Sequence, residues 1–281
     1  MRIKISADST CDLSQELIEK YDIGIVPLYV IKDGVSYKDT LEITPEDIYA
    51  HVAAGGALCS TAAVNTADYM DVFSAYRKEY DAVVHFHISS EMSTCYQNAC
   101  IAAEEIGGVY PVDARNLSTG IGHLVLDAAI MAQNGVSPEE IKRQLDKKKA
   151  KLNVSFVVST LEYLRKGGRC SAVAALGANL LNLKPCIEVK DGVMGVGKKY
   201  RGSFEKCLLK YVDDKLKDRD DVDYSRIFIT ESGGIPDSTI ELVASAIRAC
   251  GDFKEIIHTR AGCTISSHCG PGTLGILYYN K

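Results

Sequence analysis

Four hydroxyl side chains, Ser89, Ser90, Ser93 and Thr94, crowd the stretch HFHISSEMSTCYQNA (His85–Ala99), where an apolar run gives way to a helical pattern. A helix N-terminus exposes unpaired N–H groups and a partial positive charge, and one Ser or Thr is enough to cap it. More hydroxyls than a cap requires point to an anion, either a phosphate or a carboxylate, or to a nucleophile. CSTAAVN (Cys59–Asn65) repeats the chemistry, with Ser60 and Thr61 ahead of a second helical pattern. Two such turns, each opening a helix, can converge on one oxyanion. In SSHCGPG (Ser266–Gly272), His268 precedes Gly270-Pro271-Gly272, backbone able to pass close to a ligand. In RKGGR (Arg165–Arg169), Arg169 follows two glycines at a chain reversal and could hold a carboxylate or phosphate in its fork.

Other chemistries fit less well. No G-x-S-x-G elbow surrounds Ser93, although Ser93, His268 and an acid could still assemble in space. There is no phosphate loop of the G-x-x-x-x-G-K-[ST] type, and the Gly-x-Gly of GIGHLVLDAA lacks a third glycine in register. His85 and His87 share one side of a strand but have no evident carboxylate partners, so no metal site is expected. The ten cysteines form no CxxC pair and read as reduced thiols. A net charge of −5 argues against a nucleic-acid footprint. With no signal-like N-terminus and no long apolar run, a soluble, unanchored, cytoplasmic chain is expected.

Alternating strand and helix patterns must position these residues. RIKISAD, GIVPLYVI, DAVVHFHI and VYPVDA read as strands. TPEDIYAHVAAGG reads as a helix capped by Thr44, and helices are expected over Ser93–Gly107, Ser118–Gln133 and from Ser137, with Asp12 as a cap after the first strand. This implies a mostly parallel sheet covered on both faces, with ligands at the carboxyl ends of its strands. The lysine run Lys147–Lys151 reads as a solvated helix face. Beyond about residue 152 the pattern changes: VSFVVST, a hairpin turning at Asp191-Gly192, RIFITES, KEIIHTRA and GTLGILYY alternate with helices over Ser203–Lys217 and Pro236–Cys250. The expectation is a two-domain α/β protein, with residues 1–152 forming the N-terminal domain and residues 153–281 a C-terminal α/β domain with a mixed sheet.

DSTCDL, IVPLYV, SSEMSTCYQNA, VDARNLSTGIGHLV, LEYLRKGGR, LNLKPCIEVKDGV and SSHCGPGTLGILYY occur in an order that resembles the DegV family over nearly the whole chain. The resemblance implies a two-domain α/β protein that binds one long-chain fatty acid between its domains and has no other cofactor. It also implies that Thr61, Ser93, His268 and Arg169 hold the carboxylate, with Ser60, Thr94, Ser267 and Gly270 close by. Some family members serve as the fatty-acid-binding subunit of bacterial fatty acid kinase, in which a separate subunit phosphorylates the carboxylate. On that pattern the chain is a carrier with no catalytic residue of its own, with room for transient membrane contact during lipid exchange. Lys198, Lys199 and Arg201 of GKKYRG are candidates to face a partner or a phosphate. The family's T-S-Q-P-S loop reads TAAVN here, its S-G-T turn reads STC with Thr94 at the glycine, and Ser232 ends a strand that often ends in histidine. The chief alternative is a serine-nucleophile lipid hydrolase or acyltransferase using Ser93 and His268. For a carrier, affinity comes from the tail: about 0.8 kcal/mol per buried methylene gives a chain of roughly fourteen on the order of 10 kcal/mol before ordering costs.

Overall fold

The computed structural model describes residues 1–174 and 183–281. Leu181 and Asn182, which open the family-like stretch LNLKPCIEVKDGV, lie outside them. In the N-terminal half, strands β1 (Ile3–Asp8), β2 (Gly24–Val26), β3 (Tyr29–Lys32), β4 (Val35–Lys38), β5 (Ser60–Ala62), β6 (Ala82–His87) and β7 (Val109–Asp113) are interleaved with helices. These are α1 (Gln15–Lys20), α2 (Pro45–Ala53), α3 (Thr66–Glu79), α4 (Cys95–Ile106), α5 (Thr119–Gln133) and α6 (Pro138–Lys148). The second half contains β8 (Leu152–Val158), α7 (Glu162–Gly167), α8 (Ser171–Ala174), β9 (Leu183–Lys190), β10 (Val193–Arg201), α9 (Phe204–Leu216), β11 (Val222–Glu231), α10 (Asp237–Cys250), β12 (Glu255–Arg260), α11 (Cys263–Cys269) and β13 (Thr273–Asn280).

The architecture is the expected two-domain α/β fold. One sheet is four-stranded and parallel, in the order β2-β1-β6-β7, with Pro111 confined to edge strand β7, where a missing N–H is tolerated. The other is six-stranded and mixed, in the order β10-β9-β8-β13-β11-β12, with β11 and β12 its parallel pair. The turn between β9 and β10 has Asp191 and Gly192 both at positive φ, as a two-residue hairpin requires.

Packing explains why α5 is largely apolar around its circumference. One buried cluster joins α5 to β1 and β6 of the parallel sheet and also to β8 and β13 of the mixed one. The helix is covered on both faces, which is what uniform hydrophobicity encodes. The two glycines of GIGHLV serve this packing: a Cβ at Gly122 would lie 2.9 Å from the Leu13 side chain, and one at Gly120 would lie 2.9 Å from Val154. On the far sides, α3 and α4 cover the parallel sheet, and α9 and α10 cover the mixed one.

Several sequence expectations are corrected. GIVPLYVI is not one strand. It breaks at Pro27-Leu28, sending β2 to the parallel sheet and β3 to a separate three-stranded sheet, β4-β3-β5. Asp12 does not cap the first helix; Ser14 does, its hydroxyl accepting from Leu17 N–H. Thr61 does not open a helix but sits on β5, because α3 starts later, behind an Asn65 cap. In the lysine run Lys147, Ala150 and Lys151 are exposed, while Lys148 and Lys149 are half-buried. Lys148 pairs with Asp127 at 2.8 Å, and Lys149 pairs with Asp146 at 2.7 Å.

Candidate functional site

The carboxyl ends of β1 and β6 meet α11 from the second half of the chain, and hydrogen bonds fix that junction. Asp8 ends β1; its carboxylate accepts from Thr10 N–H at 3.2 Å and from Ile88 N–H at 2.9 Å, tying β1 to the segment that follows β6. Asp39, fully buried, accepts from Cys263 N–H at 2.8 Å, Thr264 N–H at 3.1 Å and the Ser9 hydroxyl at 2.8 Å. Asp12 accepts from Gly262 N–H at 2.8 Å and from the Ser118 hydroxyl. Two aspartates from the N-terminal half thus satisfy the first N–H groups of a helix more than two hundred residues away. Desolvation raises the Asp12 carboxyl to about 8 and Asp8 to about 6.

The helix so anchored carries His268 in its last turn. Its Nε2 is hydrogen-bonded to Thr61 Oγ1 at 2.7 Å, across from edge strand β5. Burial, reinforced by nearby Arg169, lowers the imidazole to about 4, so the ring is neutral at pH 7. Its Nδ1 is buried without a hydrogen-bond partner among the described residues. The ring packs directly on Gly167, where an added Cβ would lie 2.3 Å from Nδ1. Gly167→Ala should therefore displace His268 and destabilise the chain by about 1–3 kcal/mol in a urea melt, as overpacking does. Gly168→Ala is the control. It strains a residue at φ +68° but meets no neighbouring atom, so its cost should leave His268 in place.

A small cavity of about 50 Å³, partly open to solvent, brings Thr61, Ser93, Arg169 and His268 together. The rest of its wall is largely apolar, with Leu28, Ile88, Met92, Leu117, Met194 and Ile265 among its residues. Of the four hydroxyls that crowd the turn after β6, only Ser93 lines it. Ser89 donates to Gly192 O at 2.8 Å, Ser90 donates to Asp113 at 2.6 Å, and Thr94 is exposed at the N-cap of α4 without a side-chain bond. The Ser93 hydroxyl donates to Cys95 Sγ at 3.2 Å and accepts from Cys95 N–H at 3.3 Å. Arg169 follows Gly168, which ends α7 in the left-handed region. Its guanidinium donates to Gly167 O at 2.9 Å and reaches Met92 O at 3.5 Å, beside Ser93.

The neighbouring candidates are placed differently. Ser60 is exposed, Ser267 is buried on α11, and Gly270 ends α11 at φ +72° against the Tyr163 ring. Lys198, Lys199 and Arg201, at the far end of β10, do not line the cavity, and Lys198 pairs with Asp214 at 2.6 Å. Sequence reading missed Thr264, whose buried hydroxyl belongs to a cavity-lining residue one helical turn before His268. The i, i+4 spacing of Thr264 and His268 would have shown it had CTISSHC been read as a helix. For nucleophilic catalysis the geometry is poor: His268 bonds Thr61 rather than Ser93, and no carboxylate orients the imidazole among the described residues.

Residues 2–281 match the family described as "Uncharacterised protein, DegV family". A fatty acid-binding protein of Thermotoga maritima is 31% identical, covering 98% of this chain and 96% of that one. A fatty-acid-binding DegV family protein from Thermus thermophilus is 34% identical, covers 100% of both chains and superposes with a TM-score of 0.90. A stearic acid-binding protein from Eubacterium ventriosum, at 28% identity, covers 99% of this chain and 98% of that one with a TM-score of 0.84.

Proposed function

Because this chain belongs to the DegV family, we propose that it binds one long-chain fatty acid between an N-terminal unit, residues 1–152, and a C-terminal unit, residues 153–281. The observation that carries this reading is the convergence of Thr61, Ser93, a neutral imidazole and a guanidinium on one otherwise largely apolar cavity. With its proton on Nε2, His268 donates to Thr61 Oγ1 and leaves the Thr61 hydroxyl proton for a carboxylate oxygen. Ser93 turns its hydroxyl from Cys95 to the other oxygen. Arg169 offsets the charge and stands where a phosphoryl group on the carboxylate would arrive. The tail lies on the apolar wall, out of water. The chain then acts in the cytoplasm as a carrier that presents the carboxylate to a separate kinase, which supplies the nucleotide chemistry. Lys198, Lys199 and Arg201 form a basic strand end available to that partner, with Lys198 released from Asp214.

Mass spectrometry of organic extracts from the purified chain tests the reading. A near-stoichiometric fatty acid is expected. Thr61→Ala combined with Ser93→Ala should weaken retention about 10–100-fold, the loss of one to two hydrogen bonds to a charged group. A lipid-free extract, or full retention by the double variant, overturns the proposal. Covalent labelling of Ser93 by a serine-directed phosphonate would instead favour a hydrolase.

A further inference from the structure

The wall that carries Thr61, Ser93, Arg169 and His268 has one more polar residue, Thr264. Its hydroxyl is buried without a hydrogen-bond partner among the described residues, and the residue as a whole is 3% exposed. Buried polar atoms are nearly always paired, so this one marks a place where something is expected to bind. The partner that a helical threonine often takes is out of place here. Thr264 is the second residue of α11, so the carbonyl four residues back is that of Arg260, which belongs to β12 and not to the helix. The Thr264 N–H donates to Asp39 at 3.1 Å and fixes the residue in position. The size of the cavity shows which part of a ligand Thr264 meets. A water molecule needs about 10–15 Å³ of a cavity, so a space of about 50 Å³ has room for a carboxyl group and the carbons next to it. Thr264 and His268 are four apart on one helix, which sets their Cβ atoms about 5–6 Å from each other. His268 bonds Thr61, so Thr264 stands beside the first carbons of an acid held there and not beside its tail.

We propose that Thr264 fits the site to long-chain acids that carry a hydroxyl on the second or third carbon, with which its own hydroxyl pairs as donor or acceptor. The proposal rests on the fatty-acid reading above and adds the class of acid. With Thr61 and Ser93 each serving one carboxylate oxygen, the Thr264 hydroxyl is left over. An unsubstituted acid presents it with methylene and leaves it unpaired in the complex. A hydroxy acid pairs it and finds a partner for its own hydroxyl in the same bond. A site built to hydrogen-bond a ligand hydroxyl rejects the analogue that lacks it. The cost of one unpaired neutral group sets the expected preference at about 5- to 100-fold in affinity. Ser267, on the same helix, is the comparison: its hydroxyl is also buried and unpaired among the described residues, but it does not line the cavity.

The test uses the full chain stripped of lipid, with displacement of a fluorescent fatty acid as the readout and palmitic, 2-hydroxypalmitic, 3-hydroxypalmitic and ω-hydroxypalmitic acids as competitors. The 2-hydroxy or the 3-hydroxy acid should outcompete palmitic acid by about 5- to 100-fold, and the ω-hydroxy acid, with its hydroxyl at the far end, should not. Thr264→Val keeps the shape and removes only the oxygen. It should abolish the advantage of the hydroxy acid while binding palmitic acid at least as tightly as wild type. Thr264→Ser, which retains a hydroxyl, and Ser267→Ala, which removes the one outside the cavity, should both keep the advantage. The wild-type ranking decides by itself if Thr264→Val folds poorly. Equal competition by palmitic acid and both head-proximal hydroxy acids in wild type, as when a resident water already pairs Thr264, overturns the assignment while leaving fatty-acid binding intact. A preference that survives Thr264→Val overturns it in the same way. No competition by any acid overturns the fatty-acid reading, and this proposal with it.

Discussion

Asp39→Ala is expected to destabilise the chain by about 3–5 kcal/mol, a loss far outside the range of ordinary surface substitutions. The Asp39 carboxylate is fully buried and accepts three hydrogen bonds: from Cys263 N–H, Thr264 N–H and the Ser9 hydroxyl. Alanine would leave both N–H groups buried and unpaired, at about 1–3 kcal/mol each. Asp39→Asn separates shape from acceptance. Its oxygen can still serve Cys263, but its amide faces the Thr264 N–H as a second donor, so an intermediate loss is expected. Urea midpoints at constant slope would measure both variants. The effect should reach the cavity too, since Thr264 begins the helical turn that ends at His268. An Asp39→Ala midpoint within about 1 kcal/mol of wild type would show that α11 is held by something other than this cap.

The same contact shows where sequence reading ran out. CTISSHC is short and rich in Ser, Thr, Ile and Cys, all indifferent helix formers, so nothing local announces α11. Its cap comes from Asp12 and Asp39, distant in sequence and near only in the folded chain. Asp12 misled for the matching reason. DLSQ offers two acceptors ahead of α1, and the one drawn away to Gly262 and Ser118 cannot also cap locally. Thr61 was found as a residue but misplaced as structure, because a three-residue strand such as β5 has no room for a period-two pattern. GIVPLYVI reads as one strand because both halves are apolar; that Pro27 divides two sheets is visible only in the fold. What could be read was the alternation of strand and helix and the Asp191-Gly192 turn. Among the candidate residues, Thr61, Ser93, Arg169 and His268 stood out by type and by family resemblance, and the structure places all four on one cavity. Ser89 and Ser90 looked equivalent to Ser93 in sequence. Only the fold shows their hydroxyls bonded to Gly192 and Asp113.

Acidification should bring Asp12→Asn and the wild type together, the variant being the more stable at pH 7 and the two stability curves converging as pH falls. Burial lowers the imidazoles of His87 to about 3 and of His123 and His268 to about 4. Each is neutral in the fold and gains its proton on unfolding, so its contribution is intact above about pH 6.5 and shrinks as pH falls towards the folded value. That amounts to roughly 2 kcal/mol apiece between pH 7 and pH 5. His85, also lowered by burial, acts in the same direction. The aspartates oppose them. Burial raises Asp8 to about 6 and Asp12 to about 8, so both hold protons that the unfolded chain has released. Their contribution is complete below about pH 4 and lost as pH rises through the folded values, so acidification from pH 7 to pH 5 restores roughly 1 kcal/mol at Asp8 and 3 kcal/mol at Asp12. The wild type should therefore soften by only a few kcal/mol over that range. Asn at position 12 mimics the neutral acid: its oxygen accepts from Gly262 N–H, and its amide donates to the Ser118 oxygen once that hydroxyl, which donates to Asp12 in the wild type, turns away. Asp12→Asn should then be more stable than wild type at pH 7 by a few kcal/mol and lose about 3 kcal/mol more on reaching pH 5, read from urea midpoints at pH 7, 6 and 5. Parallel curves, or a variant weaker than wild type at every pH, would mean that the Asp12 carboxylate is ionised in the fold and that α11 is anchored by a charge rather than by a neutral pair.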